Sequence, residues 1–177
     1  HPDIVLTEEG PALAQMKAVG LPAYAFSAEQ PGQLTDAITR MGALTGHIDE
    51  AKQSVDLLTT RMKTITDAVS PIATAKRLKV YVAGSSIFKT FAGDFFQTFM
   101  VRSAGGVSVS EELTGGKVVV SPEQVLVWNP DVIILDWEMP NMTGGQFMRM
   151  VRSPEKFPVP QVPVIMLTGH VERERVV

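Results

Sequence analysis

The chain has 177 residues, of which 45% are apolar and 20% charged, with a formal net charge of −3 and no cysteine. This is ordinary globular composition, and a globule of this size buries roughly 70% of its unfolded surface, enough for one large domain or two small lobes. With no Lys/Arg cluster, no thiol and no run near the roughly 18 apolar residues of a membrane span, the chain is expected to have no nucleic-acid partner, no disulfide or thiolate metal site and no membrane insertion.

No signal-peptide pattern opens the sequence: His1-Pro2-Asp3 leads directly into the apolar Ile4-Val5-Leu6, so the chain is expected to begin inside a fold, with a strand. Pro11 to Val19 reads as a helix with Leu13, Met16 and Val19 on one side and Gly20 as its stop. Tyr24-Ala25-Phe26 is a short strand, and Leu34, Ile38, Met41 and Leu44 give a second helix that ends at Thr45-Gly46. The most regular pattern follows. Ile48, Ala51, Val55, Leu58, Met62, Ile65 and Val69 recur at steps of three and four, Asp49 and Glu50 suit the amino end, and Ser70-Pro71 closes it. A helix of about 22 residues is about 33 Å long, enough to cross between two lobes, with Leu58 and Met62 expected to be buried.

A second lobe begins at the strand Val80-Tyr81-Val82-Ala83, which runs into Gly84-Ser85-Ser86. Asp94 to Ser103 predicts a helix with Phe95, Phe96, Phe99 and Met100 inward and Ala104-Gly105-Gly106 as its stop. Ser121-Pro122-Glu123 carries an N-cap serine, a proline in the first turn and an acid beside the helix amino terminus, so a short helix runs to Trp128. Asp131-Val132-Ile133-Ile134-Leu135 is a β-branched run of the kind buried on both faces of a parallel sheet. Beyond Gly144-Gly145, Phe147, Met148, Met150 and Val151 stripe another helix, and Val162 to Leu167 is a final strand.

Two family resemblances meet in the strand at 131–135. Upstream, LTDAITRMGALTGHIDEAKQSVDLL and GDFFQTFMVRSAGGVSVSEELTGGKVVVSPEQVLVWNPDVII are similar to periplasmic substrate-binding proteins of ABC importers, in the class with a rigid inter-lobe helix. Downstream, DVIILDWEMPNMTG followed by VPVIMLTGH resembles a response-regulator receiver domain from its third strand through its fourth. The first covers about residues 1–135 and the second about 131–177, which points to a chimeric chain. The expected fold is α/β, two small lobes with mostly parallel sheets joined by a long inter-lobe helix. Residues 1–47 form a partial amino-terminal lobe, 48–71 the helix, and 72–177 the carboxy-terminal lobe with 136–177 receiver-like.

The binding-protein resemblance implies capture of an iron complex, haem, corrinoid or other metal-containing solute as cargo, an ABC permease as partner, a periplasmic or cell-surface location, and no enzymatic activity. Ligand contacts would come from the strand ends facing the cleft, which makes Thr7, Glu8, Tyr24, Ser85, Ser86 and Phe88 positional candidates. Glu123 would dock on permease arginines, and the amino-lobe counterpart would lie upstream of His1. The receiver resemblance implies the alternative, a cytoplasmic signalling module. Asp136 would be its phosphoacceptor, Glu138 would lend a backbone carbonyl to Mg²⁺, and Thr168 would bond the phosphoryl group. The family's paired acids at the end of its first strand and its lysine at the end of its fifth have no counterpart, so phosphotransfer is not expected. A third reading is an inactive chimera of the two. Apart from cargo, no intrinsic cofactor is expected, and His1, His47 and His170 share no zinc-ligand spacing.

Overall fold

The computed structural model describes residues 2–7, 10–139 and 142–167. It divides into two compact units, residues 1–64 and 65–177. In the first, β1 (Val5–Thr7), α1 (Pro11–Ala18) and β2 (Ala23–Ala25) make a parallel β-α-β unit in which Val5 pairs with Ala23 and Thr7 with Ala25. Strand β2 thus lies one residue earlier than its apolar run suggests. Helix α2 (Pro31–Thr45) starts at a reciprocal Gln30/Gln33 cap and stops where Gly46 turns left-handed, at φ 77°.

Helix α3 (Ile48–Val69) is uninterrupted, as the stripe predicts. Its burial differs from expectation. Leu58 and Met62 are only half-buried, Ile48 is 65% exposed, and no residue of α3 is fully buried. A helical period specifies which side chains share a face; it does not supply a layer to close over them.

The second unit is built on a four-stranded parallel sheet. After a 3₁₀ turn at Thr74–Lys76 come β3 (Lys79–Val82), β4 (Lys89–Phe91), α4 (Phe96–Ser103), β5 (Val107–Ser108), β6 (Lys117–Val119), α5 (Pro122–Trp128) and β7 (Val132–Asp136). The unit continues through β8 (Glu138–Met139), β9 (Met142–Thr143), α6 (Gly144–Val151) and β10 (Val164–Leu167). Sheet order is β10-β7-β3-β5, while β4 and β6 form a separate antiparallel pair and β8 and β9 another. The chain moves from β3 to one side and then returns to the other, so the winding reverses between β3 and β7.

Period-two alternation in the central strands gives each face its own core. Tyr81, Ile133 and Leu135 pack with Val125 of α5 and Phe147 and Val151 of α6, joined by Phe157 and Val162. On the opposite face Val80 and Val132 pack with Val101 of α4. Each fully enclosed apolar side chain of this size contributes about 1.5–3 kcal/mol. The expected inward face of α4 is corrected in part: Phe95, the N-cap, is buried as expected, but the helix begins at Phe96, its buried residues are Thr98, Val101 and Ser103, Phe96 and Phe99 are half-buried, and Met100 is 49% exposed.

Candidate functional site

The carboxyl ends of parallel strands are where open α/β sheets take ligands, because side chains there leave the sheet without a following strand to cover them. In the first unit β1 ends at Thr7, whose carbonyl accepts the Phe26 N–H at 3.0 Å. Tyr24 lies opposite Leu6 on β2, its ring tilted against Phe26 at 4.7 Å between centroids. Its hydroxyl accepts from Arg40 Nη1 at 2.7 Å, and Arg40 Nε reaches Asp36 Oδ2 at 2.8 Å. Tyr24 and Asp36 together raise the pKa of the exposed Arg40 guanidinium, which stays cationic throughout. Tyr24, Ser27, Gln33, Asp36 and Arg40 line a polar recess of about 170 Å³. Arg40 and Asp36 were legible only as an i,i+4 pair on α2, a pattern that says nothing of Tyr24. Glu8 lies outside the described residues.

In the second unit the segment after β3 is closed tightly on itself. Gly84 N–H donates to the Lys89 carbonyl at 2.6 Å, Lys89 N–H to the Ser86 carbonyl at 3.1 Å, and the Tyr81 hydroxyl to the Ile87 carbonyl at 2.8 Å. Half-buried Ser85 and exposed Ser86 stand at the tip. Phe88 is engaged otherwise: it stacks on Phe157 at 6.0 Å between centroids and packs against the core.

Glu123 is exposed in the first turn of α5. The Ser121 side chain lowers its pKa through a hydrogen bond, and Ser121 Oγ also accepts the Gln124 N–H at 3.2 Å as the N-cap. Neutral pH therefore finds Glu123 ionised.

Asp136 is the last residue of β7, followed by the short β8–β9 hairpin in which Glu138 pairs with Thr143. In the sheet, β3 lies beside β7 and ends at Val82, followed by Ala83-Gly84, with no carboxylate there of the kind the receiver resemblance would require. One carboxylate and a carbonyl are a poor set for octahedral Mg²⁺, so these residues do not fit the ion. Among the described residues no group of three or more acids or histidines could hold a metal. Thr168 and His170 lie outside the described residues; His47 Nδ1 bonds Thr45 Oγ1 at 3.2 Å.

Among the described residues no helix is long and apolar enough to cross a membrane. The sequence model of the periplasmic binding protein family matches residues 1–155. The molybdate-binding protein MolA of Haemophilus influenzae is 26% identical over 164 residues, 80% of this chain and 46% of that protein. The chemotaxis protein CheY of Pseudomonas aeruginosa is 37% identical over 49 residues, 28% of this chain and 38% of that protein. The chain thus spans less than half the length of these curated relatives. Among solved structures, an ABC transporter substrate-binding protein from Listeria monocytogenes superposes with TM-score 0.77 at 19% identity, covering 94% of this chain and 67% of that one. Molybdate-bound MolA superposes with TM-score 0.76 at 19% identity, covering 93% and 57%. These likenesses establish the fold, and the family match over most of its length establishes that the chain belongs to the periplasmic binding protein family.

Proposed function

We propose that this chain is the solute-capturing component of an ABC importer, working outside the cytoplasmic membrane with a permease and taking an iron complex or similar metal-containing solute. The observation that carries this reading is positional: Thr7 closes β1, and Ser85 and Ser86 follow β3, at the carboxyl ends of parallel strands in both units. The metal-containing cargo is supported by the likeness to MolA. The test is native mass spectrometry against molybdate, a ferric hydroxamate, haem and a corrinoid. One of the four is expected to form a 1:1 complex that weakens in Ser85→Ala with Ser86→Ala, and retention of none by the folded chain would reject the reading.

Glu123 is proposed as the permease contact, because it is exposed and held ionised. In vesicles carrying the permease, Glu123→Arg is expected to reduce solute-stimulated ATP hydrolysis while leaving solute affinity unchanged. The receiver-like alternative is favoured by partial matches such as that to CheY. We read that stretch as structural, supplying α6 and β10 to a parallel sheet whose chemistry lies elsewhere.

A further inference from the structure

We infer that residues 1–64 open as a unit while residues 65–177 remain folded, so that the amino-terminal half of the chain is ordered only conditionally. Among the described residues, the buried apolar side chains, from Val80 to Val162, all lie in the second unit. Among the described residues of the first unit, Gly42 alone is fully buried, and it brings no side chain to a core. Helices α1 and α3 bury nothing completely, and β1 and β2 form a two-stranded ladder of three residues each. Where a core would lie, α2 and α3 border an open apolar groove of about 390 Å³ lined by Phe26, Ile38, Met41 and Ala51 among others. Leu6, Leu44 and Leu57 are each exposed.

A unit of about 60 residues is marginal even with a complete core, because ordering each residue costs conformational entropy that apolar burial has to offset. The ion pairs of this unit do little to replace it, since Asp36–Arg40 and Lys52–Asp56 are solvent-exposed i,i+4 contacts. The second unit has two packed faces on one sheet. The boundary falls within α3, so opening frays that helix from its amino end. The last turn stays with the second unit, where Val69 lies against Gly105. The inference is independent of the solute reading.

The test is hydrogen exchange of the full chain read by mass spectrometry. Peptides within 11–58 are expected to show protection at least about 100-fold lower than peptides covering β3 and β7. The mild core variant Ile133→Val is expected to speed exchange in β3 and β7 and leave 11–58 unchanged. Equal protection in the two halves, or acceleration of both by Ile133→Val, would show one cooperative fold and overturn the inference.

Discussion

Tyr81 stands in β3 with its ring enclosed and its hydroxyl donating to the Ile87 carbonyl at 2.8 Å, so one phenol both fills the core and anchors the segment after its strand. Truncating it to Phe leaves a buried carbonyl without its donor, and Tyr81→Phe is expected to cost about 1–3 kcal/mol in urea denaturation. Burial also raises its pKa, since a phenolate there would lose its hydration. The folded state therefore holds this proton more tightly than the unfolded chain. Its contribution is complete below the ordinary tyrosine pKa of 10.0 and is lost as pH climbs above it, so the denaturation midpoint should fall in that range less steeply for Tyr81→Phe. Asp136 makes the contrasting case. Its strand-end position was legible from the run Val132–Leu135, but the neighbouring β3 ends at Val82 and is followed by Ala83-Gly84, which brings no second carboxylate. Incubation with beryllofluoride and Mg²⁺ is expected to leave the spectra of the protein unchanged; a Mg²⁺-dependent change abolished in Asp136→Asn would revive the signalling reading. Phe88 shows what sequence position leaves out: its place is that of a strand-end loop, and only the fold reveals Phe157, 69 positions further along the sequence, stacked on it.

At the scale of elements, the start of α5 was legible because its Ser121 cap is local, whereas α6 begins at Gly144, within the Gly144-Gly145 pair that reads as the loop before it. Thr143 and Gln146 cap α6 reciprocally, with Thr143 N–H donating to Gln146 Oε1 at 2.9 Å and Gln146 N–H to Thr143 Oγ1 at 3.3 Å. Thr143→Ala is expected to lower stability by about 0.5–2 kcal/mol, measured by urea denaturation of the second unit. The antiparallel pair β4–β6 was not legible. Each strand has three residues, Lys89–Phe91 and Lys117–Val119, and 25 residues including a helix intervene, so neither turn chemistry nor alternation announces the pairing. The face of α4 was legible only in part: Phe95 is buried as the stripe suggests, but within the helix Thr98 and Val101 turn inward and Met100 is exposed. The α2–α3 hairpin depends on a close approach that periodicity does not record: a Cβ on Gly42 would sit 2.8 Å from the His47 carbonyl oxygen and overlap the Ala51 side chain. Gly42→Ala should therefore destabilise the first unit by about 1–3 kcal/mol, seen as faster exchange in α2 with β3 and β7 unchanged.

For the whole molecule, the parallel sheet shows how a short stretch similar to CheY is compatible with a chain of the periplasmic binding protein family. Strands β3, β5, β7 and β10 lie in the order that places the third and fourth strands on the far side of the first, and α6 provides the crossover between β7 and β10. A receiver-like third and fourth strand can enter such a sheet because both sequences demand the same buried, β-branched run at β7. The first unit carries Thr7 and Tyr24, and among its described residues Gly42 alone is fully buried. Under the proposed function, solute capture and folding would be linked, since a ligand that binds only the ordered state stabilises it by about 2.7 kcal/mol at 100 times its dissociation constant. A unit of about 60 residues gains about 4–8 °C in melting temperature per kcal/mol, so the cognate solute should raise the transition of the affected unit by about 11–22 °C. Differential scanning calorimetry without solute is expected to show two transitions, the lower one belonging to residues 1–64. Adding the correct member of the molybdate, ferric hydroxamate, haem and corrinoid set should move the lower transition toward the upper. Two transitions that none of the four solutes moves would leave the weak half established and the solute proposal refuted, whereas a single transition raised by one of them would support the solute and refute the weak half.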